Sequence, residues 1–103
     1  MDARLEEALR KTISNWHRMG QADMDHSEDA ADQFEHSFYA FIDVFRDWVN
    51  ELDPRPSTVE ALLAMDTCRE IMDRLPAPLI LNFETEADLI IENTLRVDED
   101  RYD

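Results

Sequence analysis

One apolar pattern constrains this chain most: a set of large side chains recurring with alternating spacings of three and four residues. At 100° per residue such spacing places every member on one side of an α-helix. Ile42, Val44 and Val49 widen the apolar arc to about 160°, beyond the roughly 100° typical of a surface helix. We therefore predict a central helix, from about Ser27 to Leu52, that packs on more than one neighbour. The pattern consists of Ala31, Phe34, Phe38, Phe41, Phe45, Trp48 and Leu52.

Two further segments have helical periodicity. The segment from Asp2 to Met19 is apolar every three or four residues, and the glycine that follows, Gly20, is expected to end it as a left-handed cap. The segment from Thr58 to Leu75 is preceded by Ser57 and carries Glu60, which together form a capping-box pattern. Pro76 is expected to end this third helix.

The C-terminal segment, residues 78–103, admits two interpretations. Thr85 and the acidic residues after it resemble a helix start, while alternating apolar residues between 79 and 97 would also suit a β-hairpin. The hairpin would turn at residues 84–88, which contain no Gly, Asn or Pro, so the helix is favoured. The predicted fold is all-α, a small antiparallel bundle of three helices plus this fourth element, in a single domain over 1–103.

The charge of the chain is strongly negative, with a formal net charge of −15 from 25 acidic and 10 basic residues. Such a surface repels phosphate backbones and anionic lipids, so we expect neither direct nucleic-acid binding nor membrane binding. A basic protein surface is the natural electrostatic partner. The alternative is that acidity serves solubility in a high-salt source.

The acidity is concentrated in one part of the sequence. Residues 19–45 contain no Lys or Arg, and residues 19–53 contain ten acids against one base, Arg46. We therefore predict a partner-binding surface here. Its candidate residues are Asp23, Asp25, Glu28, Asp29, Asp32, Glu35, Asp43 and Asp47.

Candidate catalytic groups are few. The single cysteine, Cys68, lies on the apolar side of the third predicted helix, where burial is expected. One glycine rules out a glycine-rich phosphate loop, and the three histidines have no cysteine cluster beside them. We expect no cofactor and no metal site, and we expect His36 to lie on the polar side of its helix.

Two acidic pairs at i, i+3 spacing suggest an alternative function. Asp32-x-x-Glu35 and Glu70-x-x-Asp73 are similar to the paired Glu-x-x-Glu and Glu-x-x-Asp motifs of helical nucleotide pyrophosphatases of the MazG type. The similarity covers four residues, and the first motif has Asp where the family has Glu. It would imply a Mg²⁺-dependent pyrophosphohydrolase, because Mg²⁺ prefers carboxylate oxygens and keeps waters for the phosphates.

The favoured function is non-enzymatic protein binding, as in inhibitors, immunity or antitoxin-type proteins, DNA mimics and small chaperones. The first residues are not an apolar leader and no apolar run reaches the length of a membrane span, so a cytoplasmic location is expected. The lone cysteine fits the same reducing compartment. Self-association is left open by the sequence.

Overall fold

The computed structural model describes the backbone of residues 1–100 and the side chains of residues 1–92. This part of the chain is all-α and contains no strand. Its helices are α1 (Ala3–Gln21), α2 (Ser27–Asn50), α3 (Val59–Leu63), α4 (Asp66–Arg74) and α5 (Ala77–Asp100). The predicted helical class is confirmed, and α5 excludes the hairpin for residues 79–97.

The chain divides into two compact units, Met1–Trp48 and Val49–Asp103. The expectation of one domain over 1–103 stays a prediction.

In the first unit, α1 and α2 run antiparallel. The Thr12 hydroxyl donates to the carbonyl oxygen of Ser37 at 3.1 Å, and the Asn15 side chain donates to the carbonyl of Gln33 at 3.4 Å. The rings of Trp16 and Phe34 meet edge to face with centroids 5.3 Å apart. Fully buried side chains line the core. They are Leu5, Leu9, Thr12, Phe41 and Phe45.

The start and end of α1 differ from expectation. Asp2 caps the start, because its carboxylate accepts the backbone N–H groups of Arg4 and Leu5. The hydrogen bond from Arg4 lowers the pKa of the Asp2 carboxyl. The prediction for Gly20 was wrong: it lies inside the helix, and no residue among those described has a positive φ. Ala22, whose backbone is extended, follows the helix instead.

In the second unit, the predicted single helix over Thr58–Leu75 is divided. The side chain of Thr58, rather than Ser57, caps α3 by accepting the backbone N–H of Ala61 at 3.1 Å. The chain then becomes extended at Met65, and α4 begins at Asp66. The second unit therefore has two short helices, α3 and α4, where one longer helix was expected.

The last helix begins earlier than the predicted start at Thr85. It starts at Ala77, and Pro78 occupies its first turn, where a missing N–H is tolerated. Buried residues Leu79, Phe83, Ala87 and Ile90 recur at helical spacing along it. The side chains of the predicted apolar face beyond Glu92 lie outside the described residues.

Candidate functional site

The eight predicted partner-binding residues are all exposed, and we call them together the acidic face. Six of them belong to α2, at positions 28, 29, 32, 35, 43 and 47. Projected at 100° per residue, these six fall within an arc of about 120° centred opposite Phe41, the middle of the buried side. They extend over about 28 Å of helix at 1.5 Å per residue. The structure therefore arranges residues scattered in sequence into one long surface.

The N-terminal end of the acidic face lies in the turn before α2. The Asp23 carboxylate accepts the backbone N–H of His26 at 3.0 Å, and its oxygen lies 2.7 Å from the His26 ring nitrogen Nδ1. Glu28 and Asp29 occupy the first turn of α2, where negative charge interacts favourably with the helix dipole. Part of the acidity at this end therefore stabilises local structure.

Most carboxylates of the acidic face have no ionic partner. Asp43 pairs with Arg46 at 3.0 Å, and Asp23 with His26. Within the described part of the chain, the other six form no ion pair. Arg46 is also the only Lys or Arg on this side of α2. The charge of the face is thus largely uncompensated and available to a partner.

Two exposed apolar side chains accompany these acids, and the sequence pattern alone did not single them out. Met24, between Asp23 and Asp25, is 95% exposed, and Tyr39 is 50% exposed. Tyr39 lies within the acidic arc because it is two residues, about 200°, from Phe41. That offset was visible in the sequence and is the signal that could have identified it.

The candidate nucleophile is inert. Cys68 is fully buried on α4, as predicted. Burial raises the pKa of its thiol to about 12, because a thiolate would lose its hydration there. Nucleophilic thiols need the opposite environment.

Within residues 1–92, the side chains with metal-binding potential form no cluster. Among the described side chains, no three of His, Cys, Asp or Glu form a group that could hold a metal ion. Asp32 and Glu35 belong to the first unit, while Glu70 and Asp73 belong to the second. Glu70 lies 3.8 Å from the Arg74 guanidinium instead. His36 is exposed on the polar side of α2, as expected.

Comparison with family models, with curated proteins and with solved structures finds no match. Within the described residues, no helix combines the length and apolarity needed to cross a membrane. The function is therefore inferred from the acidic face itself.

Proposed function

We propose that the protein is a non-enzymatic binding module whose acidic face engages a basic surface on another protein. The observation that carries the proposal is the uncompensated run of carboxylates along the outer side of α2. Electrostatic complementarity of this kind speeds encounter and selects partners more than it adds affinity. Affinity needs anchors as well as charge.

Tyr39 and Met24 are the proposed anchors. Both residue types are enriched in protein interfaces, where a rigid aromatic ring or a flexible thioether fills a pocket on the partner. Because these two residues lie among the acids, the surface consists of exposed apolar side chains surrounded by charged ones. Such a surface suits the class of inhibitors, immunity or antitoxin-type proteins and small chaperones.

Close mimicry of DNA has less support. Duplex DNA carries one charge per about 1.7 Å of axis. The six carboxylates of α2 over about 28 Å amount to one charge per about 5 Å. The partner proposed is therefore a basic protein surface in general rather than a nucleic-acid-binding cleft. A cytoplasmic location belongs to the same proposal, supported by the lone, buried Cys68.

The test is a triple charge reversal, Asp25→Lys with Asp29→Lys and Asp32→Lys. The variant should recover less partner from the lysate of the native host, associate more slowly with it, and show a weaker salt dependence of association. Its circular dichroism melt should stay close to wild type, because all three side chains are exposed and because the helix-dipole interaction lost at Asp29 is offset by relief of the repulsion between the acids.

A matched control carries the same change of charge elsewhere. Asp53, Asp73 and Asp88 are exposed and lie outside the acidic face. Their reversal to Lys should leave recovery and association rate near wild type. Equal recovery of the same proteins by all three forms across a salt series would show that the acidic face is only solvated surface.

A further inference from the structure

The sulfur atoms of the chain differ widely in their contact with solvent. There are six of them, in five methionines and one cysteine. Met24 is 95% exposed, whereas Met1 is 42% exposed. Met19, Met65 and Met72 are each partly buried. A reagent dissolved in water therefore reaches one thioether far more readily than the others.

Met24 is the middle residue of the connection between α1 and α2, residues 22–26. Hydrogen bonds on both sides of it hold the backbone of this turn. The Asp23 carboxylate accepts the backbone N–H of His26 at 3.0 Å, and the Ser27 hydroxyl donates to the carbonyl oxygen of Met24 at 3.3 Å. The main chain is thus fixed locally, while the Met24 side chain lies in solvent.

The cysteine does not compete with Met24 for an oxidant. Peroxides react with cysteine as the thiolate, and an accessible thiolate is the usual first target in a protein. Cys68 is fully buried, and burial raises the pKa of its thiol to about 12. At neutral pH it is consequently a protonated thiol away from solvent, and Met24 is left as the most accessible sulfur.

We propose that Met24 is a redox-modification site, at which hydrogen peroxide converts the thioether to a sulfoxide. A lone pair of the sulfur attacks one peroxide oxygen and forms the S–O bond as the O–O bond breaks. The proton of the transferred oxygen passes to the departing hydroxide, which leaves as water. The sulfur is oxidised and the peroxide is reduced. Because the attacking sulfur becomes partly positive, contact with water speeds the reaction and favours an exposed thioether over a partly buried one.

The modification is reversible. Two thiols reduce a methionine sulfoxide to the thioether, and the products are a disulfide and water. The reductases that catalyse this step must bind the oxidised side chain. A sulfoxide at Met24 lies on an exposed turn between two helices, so it is reducible without unfolding of the chain.

The consequence for binding rests on the proposed function, in which Met24 is an anchor of the acidic face. Oxidation turns a flexible apolar side chain into a polar one. The carboxylates of the acidic face and the ring of Tyr39 stay unchanged, so the attraction at long range persists while an apolar contact is lost. Oxidation therefore weakens the complex and leaves the fold intact.

The first experiment measures selectivity and needs no partner. The full chain is exposed to hydrogen peroxide, and sulfoxide at each methionine is followed by mass spectrometry of proteolytic fragments. Met24 should oxidise about tenfold faster or more than Met19, Met65 and Met72, because those three are partly buried. In guanidinium chloride the rates should become equal. A smaller ratio in the native chain, or a ratio that persists in the denaturant, would overturn the modification site.

The second experiment tests reversibility in the folded state. Chain oxidised at Met24 alone should have the circular dichroism melt of the untreated chain, since this side chain is 95% exposed. Methionine sulfoxide reductase with dithiothreitol should then return the original mass under native conditions. A lowered melting temperature, or a sulfoxide that resists the reductase until the chain is unfolded, would contradict a reversible site.

The third experiment measures binding. Peroxide-treated wild type and the variant Met24→Gln, which introduces a polar side chain of similar size, should recover about threefold less of the proteins that untreated wild type recovers from native-host lysate. Met24→Leu, which keeps an apolar side chain without a sulfur, should recover the same amount before and after peroxide. The matched control, Met1→Leu, removes the other exposed thioether and should lose recovery on treatment as wild type does.

The outcomes separate the two proposals. Equal recovery by wild type before and after oxidation of Met24 would overturn the effect on binding, even if oxidation is selective. A wild-type chain that recovers nothing would count against the proposed function alone, because selectivity and reversibility at Met24 are measured without a partner.

Discussion

The hydroxyl of Thr12, a fully buried residue of α1, donates to the carbonyl oxygen of Ser37 on α2 at 3.1 Å, and it also lies 3.0 Å from the carbonyl of Ala8. It is a buried polar link between the two helices, whose other polar contacts, from Asn15 and Arg18 to Gln33, are exposed. Its position on the buried stripe of α1 explains why an apolar periodicity includes a threonine.

Replacing Thr12 with valine keeps the shape of the side chain and removes its hydroxyl. We expect a loss of about 0.5–1.5 kcal/mol in the free energy of unfolding, the usual net contribution of one hydrogen bond. Chemical denaturation measures it. Thr12→Ser, which keeps the hydroxyl and loses a methyl group, is the comparison. A valine variant as stable as wild type would show that the bond between the helices adds nothing.

Truncation of Phe41 to alanine should be among the most destabilising single changes. The ring is fully buried at the centre of the stripe on α2, so we expect a loss of about 3–5 kcal/mol from transfer and cavity terms. The control is Tyr39→Ala on the same helix, where the ring is 50% exposed and the loss should be much smaller. Similar denaturation midpoints for the two variants would contradict the assignment of the buried side.

Gly20 offers a stabilising change. It lies within α1 with a helical backbone, and a methyl group placed there would meet no atom within 4 Å. Gly20→Ala should therefore stabilise the protein by about 0.4–1 kcal/mol, since alanine loses less backbone freedom on folding. Thermal denaturation would show a higher midpoint. A lower midpoint would mean that Gly20 adopts the left-handed conformation that its sequence position first suggested.

The sequence predicted a helix correctly where its buried apolar residues fit one straight helix, and it failed where they do not. α2 was predicted to within two residues at its C-terminal end because its apolar side chains lie on one side throughout. The division between α3 and α4 was missed because neither Gly nor Pro marks it. Yet Leu62 and Ile71 are both fully buried, although on one straight helix they would point about 180° apart. The break at Met65 changes the direction of the chain between these two residues, so that both are buried.

The candidate site was predicted as a set of residues, and its arrangement came from the structure. The sequence identifies a segment that contains no Lys or Arg. That its acidic residues share one side of α2 can be stated only once the buried side of that helix is known. Tyr39 was not singled out because it lies outside the apolar pattern and carries no charge.

The thiol of Cys68 should give stability a pH dependence in the alkaline range. Its pKa is raised from 9.0 to about 12 in the folded chain, so above pH 9 the unfolded state loses this proton while the folded state keeps it. Fewer protons on the unfolded state mean that stability falls as pH rises, here between about 9 and 12. Below pH 9 the thiol does not change how the free energy of unfolding depends on pH.

The measurement is the denaturation midpoint across that pH range, compared with Cys68→Ala. The variant loses stability at every pH from the cavity it creates, but its stability should fall less steeply with pH, because it lacks the thiol and every other contribution cancels in the comparison with wild type. A second readout is chemical modification of the Cys68 thiol at pH 8, whose rate should be limited by the rate of unfolding. Identical slopes together with rapid modification of the native protein would place Cys68 at the surface.

Salt distinguishes an acidic docking surface from adaptation to a saline environment. Carboxylates at helical neighbour spacing, such as Glu28 with Asp32 and Asp43 with Asp47, repel each other along α2. Raising KCl from about 50 mM to about 2 M screens this repulsion and should raise the melting temperature modestly. If the acids serve recognition, the chain is already folded in dilute buffer, because burial of its apolar side chains is sufficient to stabilise the fold.

The control for that measurement is Asp32→Asn with Asp47→Asn, which removes one carboxylate from the pair Glu28 with Asp32 and one from the pair Asp43 with Asp47 without reversing charge. Its melting temperature should exceed that of wild type at low salt and converge with it at high salt, since screening leaves little repulsion to relieve. A wild-type chain that is unfolded in dilute buffer and folds only near molar salt would instead show that its acidity is a solvent adaptation. In that case the neutralised variant, and not a partner, would restore folding at low salt.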